Sequence, residues 1–365
     1  MRTPVSVAVA GLGSRGQDLA QAFDQLPAAD LRWIFDQSRH PALRIKRRVP
    51  HAGVAASFDD LLADEGLDAI AIATPAANRF QLARRALDAG KHVLVDSPAA
   101  LRADDAELLA TRAAAAKLRL MAGHDLPFHP AARRLKELVA NGRLGEVYYL
   151  HVDRQGLQAR PEEGIVWSAG AEAVSAVLWL LGDEPIEAAA RGGAYGAVGA
   201  SDVAFCHLRF ATGIEAEIRL SILEPRESRK LTVVASHGMG ILDELDAERS
   251  LTLYTRSAHE DLSEDGGTAA ERGDIVCPRL PVADTVLARC EHFVTAVRSP
   301  AGPQDVAADG PVVVAALQAL QRSLDRGGTS EPVGVPAESG VAPIARSGVA
   351  SGAPAGVVQL PLRSG

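Results

Sequence analysis

Cysteine is scarce here, with Cys206, Cys277 and Cys290 the only three in the chain. Their spacing makes neither a metal-ligand set nor an even disulfide framework. The sequence therefore reads as a protein of a reducing compartment, the cytoplasm, with no bound metal. Long apolar runs are missing too. The run at residues 5–10 is too short for a signal-peptide core, and no run reaches membrane length, so no membrane partner is expected. Positive charge is not in excess: 38 Lys and Arg face 46 Asp and Glu, a net charge of −8. With a pI near 5.7, that balance argues against a nucleic-acid surface. The short basic run at 44–48 reads as the solvated face of a helix. No internal repeat is visible.

What the chain does have is length and apolar content: 365 residues, 47% of them hydrophobic, enough for two cored domains. The stretch 5–36 carries the sharpest signal. An apolar run at 5–10 enters Gly11-Leu12-Gly13-Ser14-Arg15-Gly16. A helical pattern with Leu19, Phe23 and Leu26 follows, and a second apolar run at 31–35 ends in Asp36. Strand, glycine turn, helix, strand and a following acid form the dinucleotide fingerprint in its proper context. Gly11 permits the tight turn, Gly13 lets a pyrophosphate approach the backbone, and Gly16 lets the helix pack on the strand. The helix N-terminus offers amide donors and partial positive charge to phosphates. Asp36 can accept from both ribose hydroxyls, which favours NAD(H) over NADP(H); Arg39 nearby keeps NADP(H) open.

Strand and helix patterns then alternate. Strands are expected at 53–56, 69–73, 92–96 and 119–123, with helices at 43–48, 58–63, 80–89 and 103–117. That alternation predicts a Rossmann-type, doubly wound parallel sheet. Ligands sit beyond the carboxyl ends of such strands. Those ends carry Gly11 to Gly16, Asp36, Thr74-Pro75, Asp96-Ser97-Pro98 and His124-Asp125, the expected cofactor rim. After residue 125 the pattern changes. Helices at 131–140 and 170–181 are followed by strand-like runs at 186–191, 203–210, 214–220, 231–235 and 251–254. Helices return at 285–298 and 311–324. The expected fold is α/β, an N-terminal parallel sheet (1–125) plus a C-terminal α+β domain with an open, mostly antiparallel sheet (126–334). Residues 335–365, rich in Gly, Pro, Ala and Val without period, read as a flexible tail.

The assembled pattern resembles the Gfo/Idh/MocA family, named for glucose–fructose oxidoreductase and inositol dehydrogenase. The segments that carry the likeness are VAVAGLGSRG, AIATPAANRFQLARRALDAGKHVLVDSPAA, GHDLPFHPAARRLKELVANGRLGEVYYLHVDR and GIVWSAGAEAVSAVLWLLGDEP. The resemblance implies hydride exchange between NAD(P) and a ring carbinol of a sugar, cyclitol or nucleotide sugar, in a homodimer or homotetramer built through the open sheet. It adds Asn78 to the cofactor residues, after the Thr-Pro turn. It also shows a rewritten proton-transfer shell. The family's Glu-Lys-Pro reads Asp96-Ser97-Pro98, so the lysine is missing. The active-site Asp, His and Asp read Ser168, Glu172 and Ser175.

Hydride transfer to or from a carbinol needs a group that exchanges the hydroxyl proton. Glu172 is the candidate, provided burial raises its pKa; otherwise it is a helix acid favoured by the dipole. His124 with Asp125 is an alternative relay, or His124 is a neutral packed side chain. Ser97 can hydrogen-bond a hydroxyl but is a weak base alone. Asp125, Trp167, Ser168 and Glu172 are the expected substrate contacts, with the tryptophans equally readable as core. Two further readings stay open: an NAD-containing non-redox enzyme (lyase, glycoside-cleaving or cyclising), and an inactive partner subunit that keeps NAD for structure.

Overall fold

The computed structural model describes residues 3–157, 162–196, 199–256, 272–299 and 310–334. The first sheet begins with β1 (Val5–Ala10), buried on both faces as a central parallel strand must be. Helix α1 (Ser14–Gln25) crosses to β2 (Ala29–Phe35), burying Leu19 and Phe23. Next come α2 (Arg39–Lys46), β3 (Gly53–Val54) and α3 (Phe58–Ala63), the last started by a Ser57/Asp60 capping box. Then follow β4 (Ala69–Ile72), α4 (Ala76–Asp88), β5 (His92–Asp96), α5 (Ala103–Ala115) and β6 (Leu120–Gly123). All pairings are parallel, in the order β3-β2-β1-β4-β5-β6, with the order reversing at β1. That reversal opens a crevice beyond the strand ends.

A short 3₁₀ turn (Leu126–Phe128) leads into α6 (Pro130–Ala140) and β7 (Val147–Gln155). Helix α7 (Ala169–Leu181) is apolar nearly all round and is buried accordingly; Glu172 is its only charged residue. Six strands follow: β8 (Pro185–Gly193), β9 (Val203–Phe210), β10 (Glu215–Ser221), β11 (Ser228–Ala235), β12 (Gly238–Asp243) and β13 (Leu251–Arg256). Beyond an undescribed stretch come β14 (Arg272–Val276), α8 (Thr285–Arg298), α9 (Gly310–Asp325) and β15 (Glu331–Pro332). The second sheet runs β14-β13-β12-β11-β7-β10-β9-β8-β15, antiparallel except where β7 meets β10. Its inner face packs on α7 and α9, where Leu150, Val152, Val174, Leu220 and Leu317 share one core.

The expected mixed architecture is therefore present, with three differences. Strands β12, β14 and β15 are not among the strand-like runs of the sequence: Gly238 and Gly240 dilute the apolar pattern of β12, β14 has few apolar residues, and β15 has two residues. Helix α4 starts at Ala76, a turn before the apolar stripe that marked it. Helix α8 does not join the second core: Cys290, Phe293 and Val294 pack with β1, β2 and α1. The expected tail, 335–365, lies outside the described residues.

Candidate active site

The glycine turn is built as the fingerprint requires. Gly11 has φ +89, and a Cβ there would lie 2.7 Å from the Ala73 backbone, so the turn abuts the end of β4. A Cβ on Gly16 would come within 1.8 Å of the Gly11 carbonyl oxygen, whereas one on Gly13 would meet nothing within 4 Å. The space over Gly13 is thus open. No side chain caps the N-terminus of α1, which leaves its first amides for a phosphate. Asp36 is held by two amides, Leu12 N–H at 2.7 Å and Ser38 N–H at 2.8 Å, which aims the carboxylate from the end of β2 toward the turn. These features fit a dinucleotide. The side chain of Arg39 lies outside the described residues.

Beyond the strand ends lies a cleft of about 970 Å³. Its near wall is Ser14, Arg15, Asp96, Ser97, His124 and Asp125; its far wall is Ser168, Glu172, Ser175, Arg154 and Arg229. Arg15 leaves the first turn of α1 and reaches across. Its guanidinium donates to Asp125 at 2.7 Å and to the Glu172 carboxylate. Asp125 is gripped from behind by Arg289 at 2.8 Å, and that fully buried guanidinium also donates to the Gly123 carbonyl at 2.7 Å. The remaining cleft arginines are paired as well: Arg79 with Asp96 at 3.0 Å, Arg154 with both oxygens of Glu244 at 2.8 and 2.6 Å, and Arg229 with Glu227 at 2.7 Å.

Several expectations change against this geometry. Burial does push the Glu172 carboxyl upward, but the cations Arg15, Arg154 and Arg229 outweigh it, and the group is held below the usual carboxylate range. The cations that act on Glu172 come from α1, β7 and β11. The His124–Asp125 relay is not assembled, because Asp125 is committed to Arg15 and Arg289. His124 is buried, its pKa pushed down to about 4 by desolvation, so it is neutral at pH 7; its Nδ1 has no partner among the described residues. Trp167 does not line the cleft but belongs to the second core, since the turn before α7 drives it inward. Ser168 lines the cleft, with its hydroxyl given to the Gly164 and Ile165 carbonyls. Asn78 is exposed and away from the cleft, because the early start of α4 turns it outward. Its neighbour Arg79 enters instead, donating also to the Thr74 and Pro98 carbonyls and occupying Asp96. Thr74 and Pro75 form the link into α4 and stand outside the cleft lining. Ser97 lines the cleft with an unpartnered hydroxyl, before a cis bond to Pro98.

Sequence reading missed Arg79, Arg154, Arg229 and Arg289. A signal existed for two of them. Arg154 continues the inward alternation Leu150, Val152 on β7, and Arg289 sits on the α8 stripe with Cys290 and Phe293.

Sheet order, glycine turn and facing cleft together define a two-sheet, dinucleotide-dependent oxidoreductase architecture. The chain belongs to the Gfo/Idh/MocA family: residues 5–124 match the profile described as "Oxidoreductase family, NAD-binding Rossmann fold", and residues 132–240 match the GFO/IDH/MocA C-terminal domain. It is 26% identical over 317 residues to UDP-N-acetylglucosamine 3-dehydrogenase of Acidithiobacillus ferrooxidans, covering 85% of this chain and 94% of that one. An uncharacterized oxidoreductase of Streptococcus pneumoniae matches over less: at 27% identity, the chain spans 43% of its length. Among solved structures, GenD2 from gentamicin A biosynthesis, in complex with NAD, superposes with a TM-score of 0.77 at 24% identity, over 92% of this chain and 98% of that one. A putative NADPH-dependent oxidoreductase from Desulfitobacterium hafniense gives 0.79 at 18%, over 91% and 99%.

Proposed function

We propose that this chain exchanges a hydride between a nicotinamide dinucleotide and a ring carbinol of a sugar, cyclitol or nucleotide sugar, with Glu172 handling the hydroxyl proton. One observation carries the reading: the only charged residue of α7 faces the glycine turn across the cleft and is bonded to a residue of that turn. NAD(H) is favoured by the placement of Asp36, and a superposable structure was solved with NAD. NADP(H) stays possible, since another structural neighbour is described as NADPH-dependent.

The dinucleotide, when bound, supplies the hydride acceptor or donor. The chain supplies the rest. The glycine turn and the start of α1 receive the phosphates, and Asp36 receives the ribose. Glu172, ionised at neutral pH, accepts the carbinol proton during oxidation and returns it during reduction. Neutral His124 and the Ser97 hydroxyl are the uncharged groups left to orient a substrate hydroxyl. Trp167, buried in the second core, does not meet the substrate, whereas Ser175, one turn beyond Glu172, lines the cleft and does. The outward face of the second sheet carries Tyr149 and Phe205 about half exposed, which supports a homodimer or homotetramer. Among the described residues no helix is long and apolar enough to cross a membrane; the cytoplasm is our assignment.

The test is direct. Nicotinamide fluorescence should report NADH binding, and a panel of sugars and nucleotide sugars should change the reduced-nicotinamide absorbance. Glu172→Gln should cut kcat by about 10²–10⁴ while the dinucleotide still binds. Failure of both NAD and NADH to bind would overturn the reading.

A further inference from the structure

Arg15 has two claims on it. By sequence it belongs to the glycine turn and stands at the second position of α1, beside the open space over Gly13. By geometry its guanidinium has left that turn and is spent on Glu172 and Asp125. Asp125 does not depend on it, because Arg289 holds the same carboxylate. Glu172 does. Of the cations around it, Arg154 is engaged by Glu244 and Arg229 by Glu227, and neither makes an ion pair with Glu172. Among the described residues, Arg15 alone is bonded to it.

We propose that Arg15 is shared between two competing partners, the Glu172 carboxylate and the phosphates of a dinucleotide at the glycine turn, so that filling the turn releases Glu172 for proton exchange. The inference rests on the function proposed above and assigns Arg15 as the residue that couples cofactor occupancy to the acid–base group. The physical reasoning is a comparison of acceptors. A pyrophosphate at the α1 N-terminus brings anionic charge to within the reach of a flexible arginine. The existing pair is part-exposed, with side-chain exposures of 40% and 31%, so solvent screening makes it cheap to break. Once Arg15 moves off, Glu172 keeps its partial burial but loses its nearest cation, and its affinity for a proton rises. A carboxylate locked in an ion pair is a poor base; an unlocked one is a better one.

Linkage gives the sign. Without dinucleotide, Glu172 is held below the usual carboxylate range, with Arg15 the largest cationic contributor. If the dinucleotide removes Arg15, the bound form has the higher pKa. Binding then takes up protons, and affinity rises as pH falls through the interval between the two values. The charged or titratable groups facing Glu172 are Arg15 from α1, His124 and Asp125 after β6, Arg154 from β7, Arg229 from β11 and, through Arg15, Asp96 at the end of β5. His124 is neutral above about pH 4, and the arginines do not titrate, so Glu172 is the group expected to move.

The experiment measures NADH affinity by fluorescence and proton uptake by calorimetry in two buffers of different ionisation enthalpy. Wild type, Glu172→Gln and Arg15→Lys are compared. Glu172→Gln removes the competitor, so it should bind NADH about three- to tenfold more tightly at pH 7 and lose the proton uptake that wild type shows as pH is lowered through the interval between its two Glu172 values. Arg15→Lys, which keeps the charge without the fork, should retain part of the uptake. Equal affinity and equal proton uptake in wild type and Glu172→Gln would overturn the proposal while leaving the function intact. Absence of NADH binding in all three would overturn both.

Discussion

His124 is 3% exposed, its Nδ1 is unpartnered among the described residues, and burial pushes its pKa down to about 4. In the unfolded chain the same imidazole titrates near its ordinary value of about 6.5. Between pH 7 and pH 5 the unfolded state therefore takes up a proton that the folded state refuses, and stability falls. The size is about 2 kcal/mol over that interval. Urea unfolding of wild type and His124→Asn at both pH values should show this loss in the former and a correspondingly smaller loss in the latter. Equal losses would mean that the imidazole is protonated in place. The same neutrality fixes what His124 can do in the cleft: it offers one acceptor and one donor and adds no charge to Glu172.

Helix α8 contributes more than packing. It crosses back from the second half of the chain to lie against α1, and its fully buried Arg289 ties the end of β6 to Asp125. Arg289→Met would leave the Gly123 carbonyl without its donor and Asp125 without one of its two ion-pair partners. Loss of a buried, charged partner of this kind costs about 2–4 kcal/mol, to be read as a lowered urea midpoint with an unchanged m-value. NADH affinity should fall as well, because Asp125 then relies on Arg15 of the glycine turn alone. The helix itself was legible in the sequence, since its apolar stripe has the right period and Asp284 starts it. Its destination was not. Periodicity reports that a face is buried, never which sheet buries it, and a chain crossing back over 160 residues leaves no local mark. The first sheet was legible almost residue by residue because each strand ends in a distinctive turn, as at Thr74-Pro75 and Asp96-Ser97-Pro98. The cleft was half legible. Glu172 stands out as one acid in an apolar helix, but the arginines that set its proton affinity come from α1, β7 and β11, separated by up to 157 residues in the case of Arg15. Their effect reversed the direction expected from burial alone.

At the scale of the whole molecule, charge decides which substrates can enter. The chain carries a net −8, and the cleft concentrates that sign. Eight carboxylates line it against four arginines, Arg15, Arg79, Arg154 and Arg229. Each of those arginines is already bonded to a carboxylate, while Asp18 and Glu163 on the lining make no ion pair among the described residues. A substrate that brings a diphosphate meets a field of its own sign unless it captures an arginine from an internal partner. A neutral hexose or cyclitol meets no such penalty, and an amino sugar is attracted. Salt separates these cases, because screening weakens either interaction when ionic strength rises from about 0.02 to 0.2 M. With dinucleotide saturating, KM for a nucleotide sugar should fall on adding salt, KM for an amino sugar should rise, and KM for a neutral hexose should hold steady and so control for the cofactor's own response. A nucleotide-sugar KM that rises with salt would show instead that phosphate does draw an arginine out of its pair, and Arg229, held by Glu227 with both side chains more than 40% exposed, would be the first to test by Arg229→Gln.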